Sequence, residues 1–127
     1  MVLRTYLAGK IHGVHLTAKN VNYVGSITLS REYLDASGIA EHEAVQVVNV
    51  STGARFLTYV LLGTGAGECI LNGGAARLGE VGDRLIVMSF AQSDRAVTPR
   101  VAMIDAQNRV ERVVQGLTAT VTNEGDC

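Results

Sequence analysis

The sequence predicts a mainly β domain, a closed or nearly closed barrel of short strands with two short helices. Two observations carry this reading. Short β-favouring runs recur along the chain, broken by 14 glycines, and helical periodicity is weak and local. A third bounds it: 127 residues make one domain, large enough to bury a core without disulfide or metal staples.

Taken in order, Leu3, Thr5 and Leu7 share one face of a first strand, and Val14 to Thr17 and Ser26 to Ser30 read as further short strands. Ser30 is placed to cap a helix over Arg31 to Ser37, with Gly38 ending it in the left-handed conformation. Val45 to Val50 and Arg55 to Leu62 flank Ser51-Thr52-Gly53-Ala54, a β-hairpin pattern. Cys69 to Leu71 follows, then a second short helix over Gly74 to Leu78. Arg84 to Phe90, Arg100 to Ile104 and Val110 to Val114 complete the strands. Gln92 to Pro99 reads as the most exposed connection, closed by the single proline.

Composition narrows the function classes. Eleven basic and twelve acidic residues give a net charge of −1, without the basic excess of a nucleic-acid footprint or a polybasic membrane anchor. Charged residues reach 18% against about 25% in an average soluble protein, a hint of surface buried in an oligomer. Cys69 and Cys127 form no C-x-x-C pair and read as reduced thiols. Arg4 and Lys10 interrupt any secretory apolar region, and no apolar run approaches the ~20 residues that span a bilayer. The expected location is the cytoplasm.

Several constellations fail on inspection. Gly63-Thr64-Gly65-Ala66-Gly67 lacks the Gly-Lys-Ser/Thr of a phosphate loop and leads into a strand. His12 and His15 sit at an odd separation, which on a regular strand puts them on opposite faces, so no metal site is expected. No G-x-S-x-G elbow supports a hydrolase.

Four pieces survive: Lys10-Ile11-His12, Tyr23-Val24-Gly25-Ser26, Arg55-Phe56-Leu57-Thr58-Tyr59 and Asn72-Gly73-Gly74-Ala75-Ala76. Each alone has an ordinary structural explanation. Together, in this order and spacing, they resemble the pyruvoyl-dependent aspartate 1-decarboxylase family, from about Leu3 to Asn108. The resemblance includes the Val81-Gly82-Asp83 turn and the Pro99-Arg100-Val101 strand entry. It implies a double-psi β-barrel over residues 1–127, cleaved between Gly25 and Ser26 into a short β chain and a longer α chain. It further implies decarboxylation of L-aspartate to β-alanine and CO2 for pantothenate, and hence coenzyme A, biosynthesis. The family assembles as a homotetramer with sites between subunits; a maturation factor is left open.

The chemistry explains why a self-made ketone is wanted. Decarboxylation leaves an electron pair that no ordinary side chain can delocalise, whereas a ketone joined to the substrate amine as a Schiff base can. The resemblance supplies that ketone as a pyruvoyl group derived from Ser26, whose Oγ attacks the Gly25 carbonyl. Glycine at 25 suits strained backbone angles and an open carbonyl. By the same resemblance Thr58 and Asn72 polarise that carbonyl or hold the intermediate, with His12 and Tyr23 supporting the processing. Arg55 pairs with a substrate carboxylate and Lys10 adds a second positive charge. Tyr59 matches the proton donor, since a phenol keeps its proton at neutral pH. Backbone N–H groups of Gly73, Gly74 and Ala75 match a carboxylate-binding turn.

Thr58 and Tyr59 point to opposite faces of a regular strand, so serving one site needs a bulge or a site between subunits. The family turn Asn-Gly-Ala-Ala-Ala-His here reads Asn72-Gly73-Gly74-Ala75-Ala76-Arg77. Gly74 loosens the turn and Arg77 adds a charge. Two rival readings stand beside this one: a non-catalytic double-psi barrel that binds a ligand or partner, and a pyruvoyl enzyme for another acidic amino acid.

Overall fold

The computed structural model describes residues 1–118; Cys127 and its neighbours lie outside the described residues. Nine strands form one sheet in the order β2-β6-β3-β5-β4-β7-β1-β8-β9. They are β1 Arg4–His15, β2 Ala18–Asn20, β3 Ser26–Leu29, β4 Ala44–Asn49, β5 Arg55–Leu62, β6 Cys69–Asn72, β7 Arg84–Ser93, β8 Arg100–Ile104 and β9 Val110–Gln115. Helix α1 spans Arg31–Ser37, and a 3-10 helix spans Gly73–Leu78. Only Leu16 and Thr17 separate β1, seventh in the sheet, from β2, its first strand, and Thr17 N–H donates to Cys69 O on β6 at 2.8 Å. The sheet therefore curls back on itself, and the fold is a mainly β barrel.

Alternation along the strands selects the inside. Val45 and Val47 on β4, Leu85 and Val87 on β7, Ile27 and Leu29 on β3, and Val60 on β5 are all buried in one cluster. Each such aliphatic side chain contributes roughly 1.5–3 kcal/mol on burial. The hairpin of β4 and β5 forms in the expected register, with Gly53 at φ 84° in its turn.

Strand β1 departs from the sequence reading. Two separate runs were expected, but the chain is extended without interruption from Arg4 to His15. Gly9 and Gly13 look like breaks; instead they flank register shifts against β7, one between Leu7 and Gly9 and one between His12 and Val14. Gly13 has φ 90°, the conformation of a glycine bulge. This overturns the parity argument for the two histidines. Ile11 and Val14 both enter the core, so the extra residue leaves His12, paired with Ile86, and His15, paired with Arg84, on the same outward side. Among the described residues no group of three His, Cys, Asp or Glu side chains converges as a metal site.

Helix α1 ends as expected, with Gly38 at φ 78° and its N–H donating to Leu34 O. It also starts where expected, at Arg31 with Ser30 in the N-cap position, but without the side-chain bond that position offers. The Ser30 Oγ is buried without a partner. The glycine loop at 63–67 turns on its own carboxylate: Gly65 N–H donates to Glu68 Oε1 at 2.9 Å. That acceptor occupies the donor a phosphate loop would offer an anion. β7 runs to Ser93, shortening the exposed connection that precedes Pro99. No helix among the described residues is long and apolar enough to cross a membrane.

Candidate active site

Strands β3 and β6 pair antiparallel with Ser26 directly opposite Asn72. Their inward neighbours Ile27 and Leu71 are core residues, which turns Ser26 and Asn72 to the other side of the ladder. Both are nonetheless buried, at 0% and 3% exposure. Asn72 Nδ2–H donates to Ser26 Oγ at 2.9 Å and to Thr28 Oγ1 at 3.0 Å. Ser26 Oγ–H in turn donates to Val24 O at 3.0 Å. The hydroxyl is thus held between one donor and one acceptor, at the buried end of an exposed loop that contains Tyr23, Val24 and Gly25.

Gly73 fixes how closely that loop approaches. It has φ 63°, and a Cβ there would lie 2.6 Å from Gly25 Cα, 2.7 Å from Gly25 N and 2.8 Å from Tyr23 O. Only glycine fits both constraints. The strain expected at Gly25 is found at Gly73 instead: Gly25 is not in the left-handed region, and a Cβ there would meet only Asn72 O, at 3.9 Å.

Tyr59 joins this cluster through β5. The parallel β3–β5 ladder pairs Ile27 with Val60, so Ser26 and Tyr59, one residue earlier on each strand, lie side by side. Because Ile27 and Val60 face the core, Ser26 and Tyr59 share the opposite side. Thr58 pairs with Val45, and the β4–β5 register runs from Ala44 to Val48 without a shift. No bulge brings Thr58 round to Tyr59's face.

The positively charged candidates lie elsewhere on the sheet. Arg55 is exposed on β5, four residues before Tyr59, and its Nε–H donates to Gln46 Oε1 on β4 at 2.9 Å. That bond leans it away from β3. Lys10 pairs with Met88 on β7, and Met88 pairs with Gln46 on β4. From β3 to β1 the order is β3-β5-β4-β7-β1, four strand spacings or roughly 19 Å along the sheet. His12, 9% exposed, is two residues beyond Lys10 on the same strand.

Immediately after Asn72 the chain enters the 3-10 helix, with Gly73 buried, Gly74 exposed and Ala75 half-buried. The first N–H groups of such a helix have no acceptor within it. A Cβ at Gly74 would meet nothing within 4 Å. Arg77 lines a recess with Thr52, Ala54, Glu80 and Asp83, none of them in the Ser26 cluster. Sequence reasoning missed Thr28, although its position two residues from Ser26 on a strand was a usable signal.

Comparison with known proteins now decides the family. A family model described as aspartate decarboxylase matches residues 2–111. The chain belongs to the aspartate decarboxylase family. A relative from Bacillus velezensis named aspartate 1-decarboxylase is 44% identical over 116 residues, covering 87% of this chain and 91% of the relative. One of the same name from Staphylococcus epidermidis is 42% identical, covering 96% and 99%. Another, from Pelotomaculum thermopropionicum, is 46% identical, covering 88% and 89%.

Proposed function

We propose that this family member converts L-aspartate to β-alanine and CO2, supplying β-alanine for pantothenate and coenzyme A, after the chain cleaves itself between Gly25 and Ser26. The observation that carries the reading is the buried Ser26–Asn72 pair beneath an exposed Gly25, with Gly73 pressed against that same segment. In the processing step Ser26 Oγ bonds to the Gly25 carbonyl carbon, the Gly25–Ser26 C–N bond breaks, and the proton passes to the nitrogen. Loss of the Cα proton with cleavage of Cβ–Oγ then releases Gly25 as a carboxylate. Addition of water and departure of ammonia leave a pyruvoyl group at position 26. The double-psi crossing of the barrel and a location in the cytoplasm belong to the same reading.

The residues around Ser26 suit such a group, because Asn72 brings a donor to the reacting position and Tyr59 stands beside it. A pyruvoyl group held there would supply a ketone for the substrate amine and a sink for the electron pair freed by loss of CO2. Tyr59 supplies the proton that replaces the lost carboxylate, and the N–H groups of Gly73, Gly74 and Ala75 hold a substrate carboxylate. Arg55 and Lys10 bind the acid by charge, with the Arg55 fork giving two parallel bonds. Thr58, His12 and Tyr23 take supporting parts in processing.

Ser26 on β3 and Lys10 on β1 belong to strands that are not neighbours in the sheet. A second copy of the chain completes the site, one presenting Ser26, Asn72 and Tyr59 and its neighbour presenting Lys10, His12 and Arg55, within a homotetramer. The apolar outward residues Leu57, Ile86, Met88 and Phe90 on β5 and β7 are the kind of surface such an assembly covers.

Intact-mass measurement of purified, incubated protein tests the reading. Fragments of residues 1–25 and 26–127 are expected, the larger blocked to N-terminal sequencing and reactive with hydrazine, together with CO2 release from L-aspartate faster than from L-glutamate. A single uncleaved chain without decarboxylation would instead support a ligand-binding barrel.

A further inference from the structure

We propose that Thr28 is a positioning residue that holds the Asn72 amide in one orientation both before and after the Gly25–Ser26 bond is cut. This rests on reading Ser26 as the self-processing residue. The Asn72 side chain has two N–H hydrogens, and both are used: one on Ser26 Oγ at 2.9 Å and one on Thr28 Oγ1 at 3.0 Å. Ser26 and Thr28 are two residues apart on β3 and present their oxygens to the same side. With the NH2 group toward β3, both hydrogens are accepted. Turned over, Asn72 Oδ1 would face the Ser26 hydroxyl, whose hydrogen is already given to Val24 O.

The two acceptors have different lifetimes. Processing moves Ser26 Oγ onto the Gly25 acyl carbon and then removes it from residue 26 altogether, in the Gly25 carboxylate. Thr28 Oγ1 stays. Its β-branched side chain has few rotamers, so it is a stiff anchor. Once the serine oxygen has gone, Asn72 keeps the Thr28 bond and directs its other N–H at the position that oxygen held. The amide is then a pre-oriented donor for an oxygen at the reacting centre. The same threonine therefore serves two steps, by orienting Asn72 on the nucleophile and by preserving that orientation for turnover.

The test compares Thr28→Val, which keeps shape but loses the acceptor, with Thr28→Ser, which keeps the hydroxyl. Three readouts are needed: cleavage rate by intact mass, kcat and KM per cleaved chain, and exchange of the Asn72 side-chain amide protons. The last is measured in the Ser26→Ala background, where no cleavage intervenes and Thr28 is the remaining hydroxyl acceptor. Thr28→Val should slow cleavage about fivefold, as for loss of one hydrogen bond, and lower kcat with KM changed less than about twofold. It should also speed Asn72 amide exchange, and Thr28→Ser should restore all three. Wild-type cleavage and kcat in Thr28→Val, or equal impairment in Thr28→Ser, would overturn the proposal. If the wild-type chain itself stays uncleaved, the processing reading fails, and unchanged Asn72 exchange in Thr28→Val would separately remove the positioning claim.

Discussion

The two charged-or-polar regions of the barrel differ in how finished they are within one chain. Around Ser26 the polar atoms are buried and paired: Asn72 gives both hydrogens to β3 hydroxyls, and Gly73 is packed onto the Gly25 backbone. Around Arg55 the guanidinium is exposed and tied sideways to Gln46, amid the apolar outward side chains of β5 and β7. Under the proposed function the first region serves a reaction of the chain upon itself, and the second meets a substrate at a surface shared between copies.

Mixing chains breaks this comparison most sharply. Ser26→Ala should abolish cleavage and activity, and Arg55→Ala should raise KM by roughly 30-fold or more, as for removing one partner of a charge pair. Co-assembled, the two variants should regain activity, because one chain supplies Ser26 and the other Arg55. Mixtures as inactive as the separate variants would mean that each site is built from a single chain.

A smaller but still large effect is expected within the first region. Gly73→Ala combines a left-handed backbone with a clash against Gly25, so cleavage should slow at least tenfold in time courses by mass. Arg55→Ala should leave that time course unchanged, which separates processing from substrate binding.

The smallest effect lies at the joint between the regions. Asn49, at the end of β4, donates to Leu78 O at the end of the 3-10 helix and to Asp83 Oδ2. The Asn49 bond, then the Glu80 N–H, hold the Asp83 carboxyl below its ordinary range. A depressed carboxyl stabilises the fold above its unfolded pKa, and that contribution fades as pH falls through the folded value. Asp83→Ala should therefore lower the thermal midpoint by a few degrees at pH 7, and the gap to wild type should close in acid. A gap that is constant with pH would assign the loss to packing.

Much of the barrel is legible in the sequence because its strands alternate cleanly and its turns carry glycine. Val45 and Val47 enter the core opposite Thr58 and Phe56 respectively, as the hairpin pattern requires. Reading stops where glycine has a second use. Gly9 and Gly13 mark bulges inside β1, so the strand appears broken and the two histidines appear to diverge. β2 is three residues long and contains Lys19 and Asn20; it is a strand because β6 pairs with it, which no local pattern announces. The site was legible as a set of pieces, through family resemblance. Its assembly was not, since Ser26 and Asn72 meet across 46 residues of sequence, and the strain placed at Gly25 belongs to Gly73.

The position of β1 has a consequence for the proposed cleavage. This strand lies between β7 and β8, hydrogen-bonded to both, and all of it belongs to the fragment that precedes the cut. The proposed cleavage in the loop would therefore leave the fragment in place, as an interior stave held on both edges. It also changes the order of the folding reaction. The precursor folds as one molecule, whereas the cut enzyme, once denatured, must find its missing strand by diffusion. Recovery then depends on protein concentration. Self-processing, as proposed, would thus be a commitment: a chain cut in this loop gives up the simple route back to its fold.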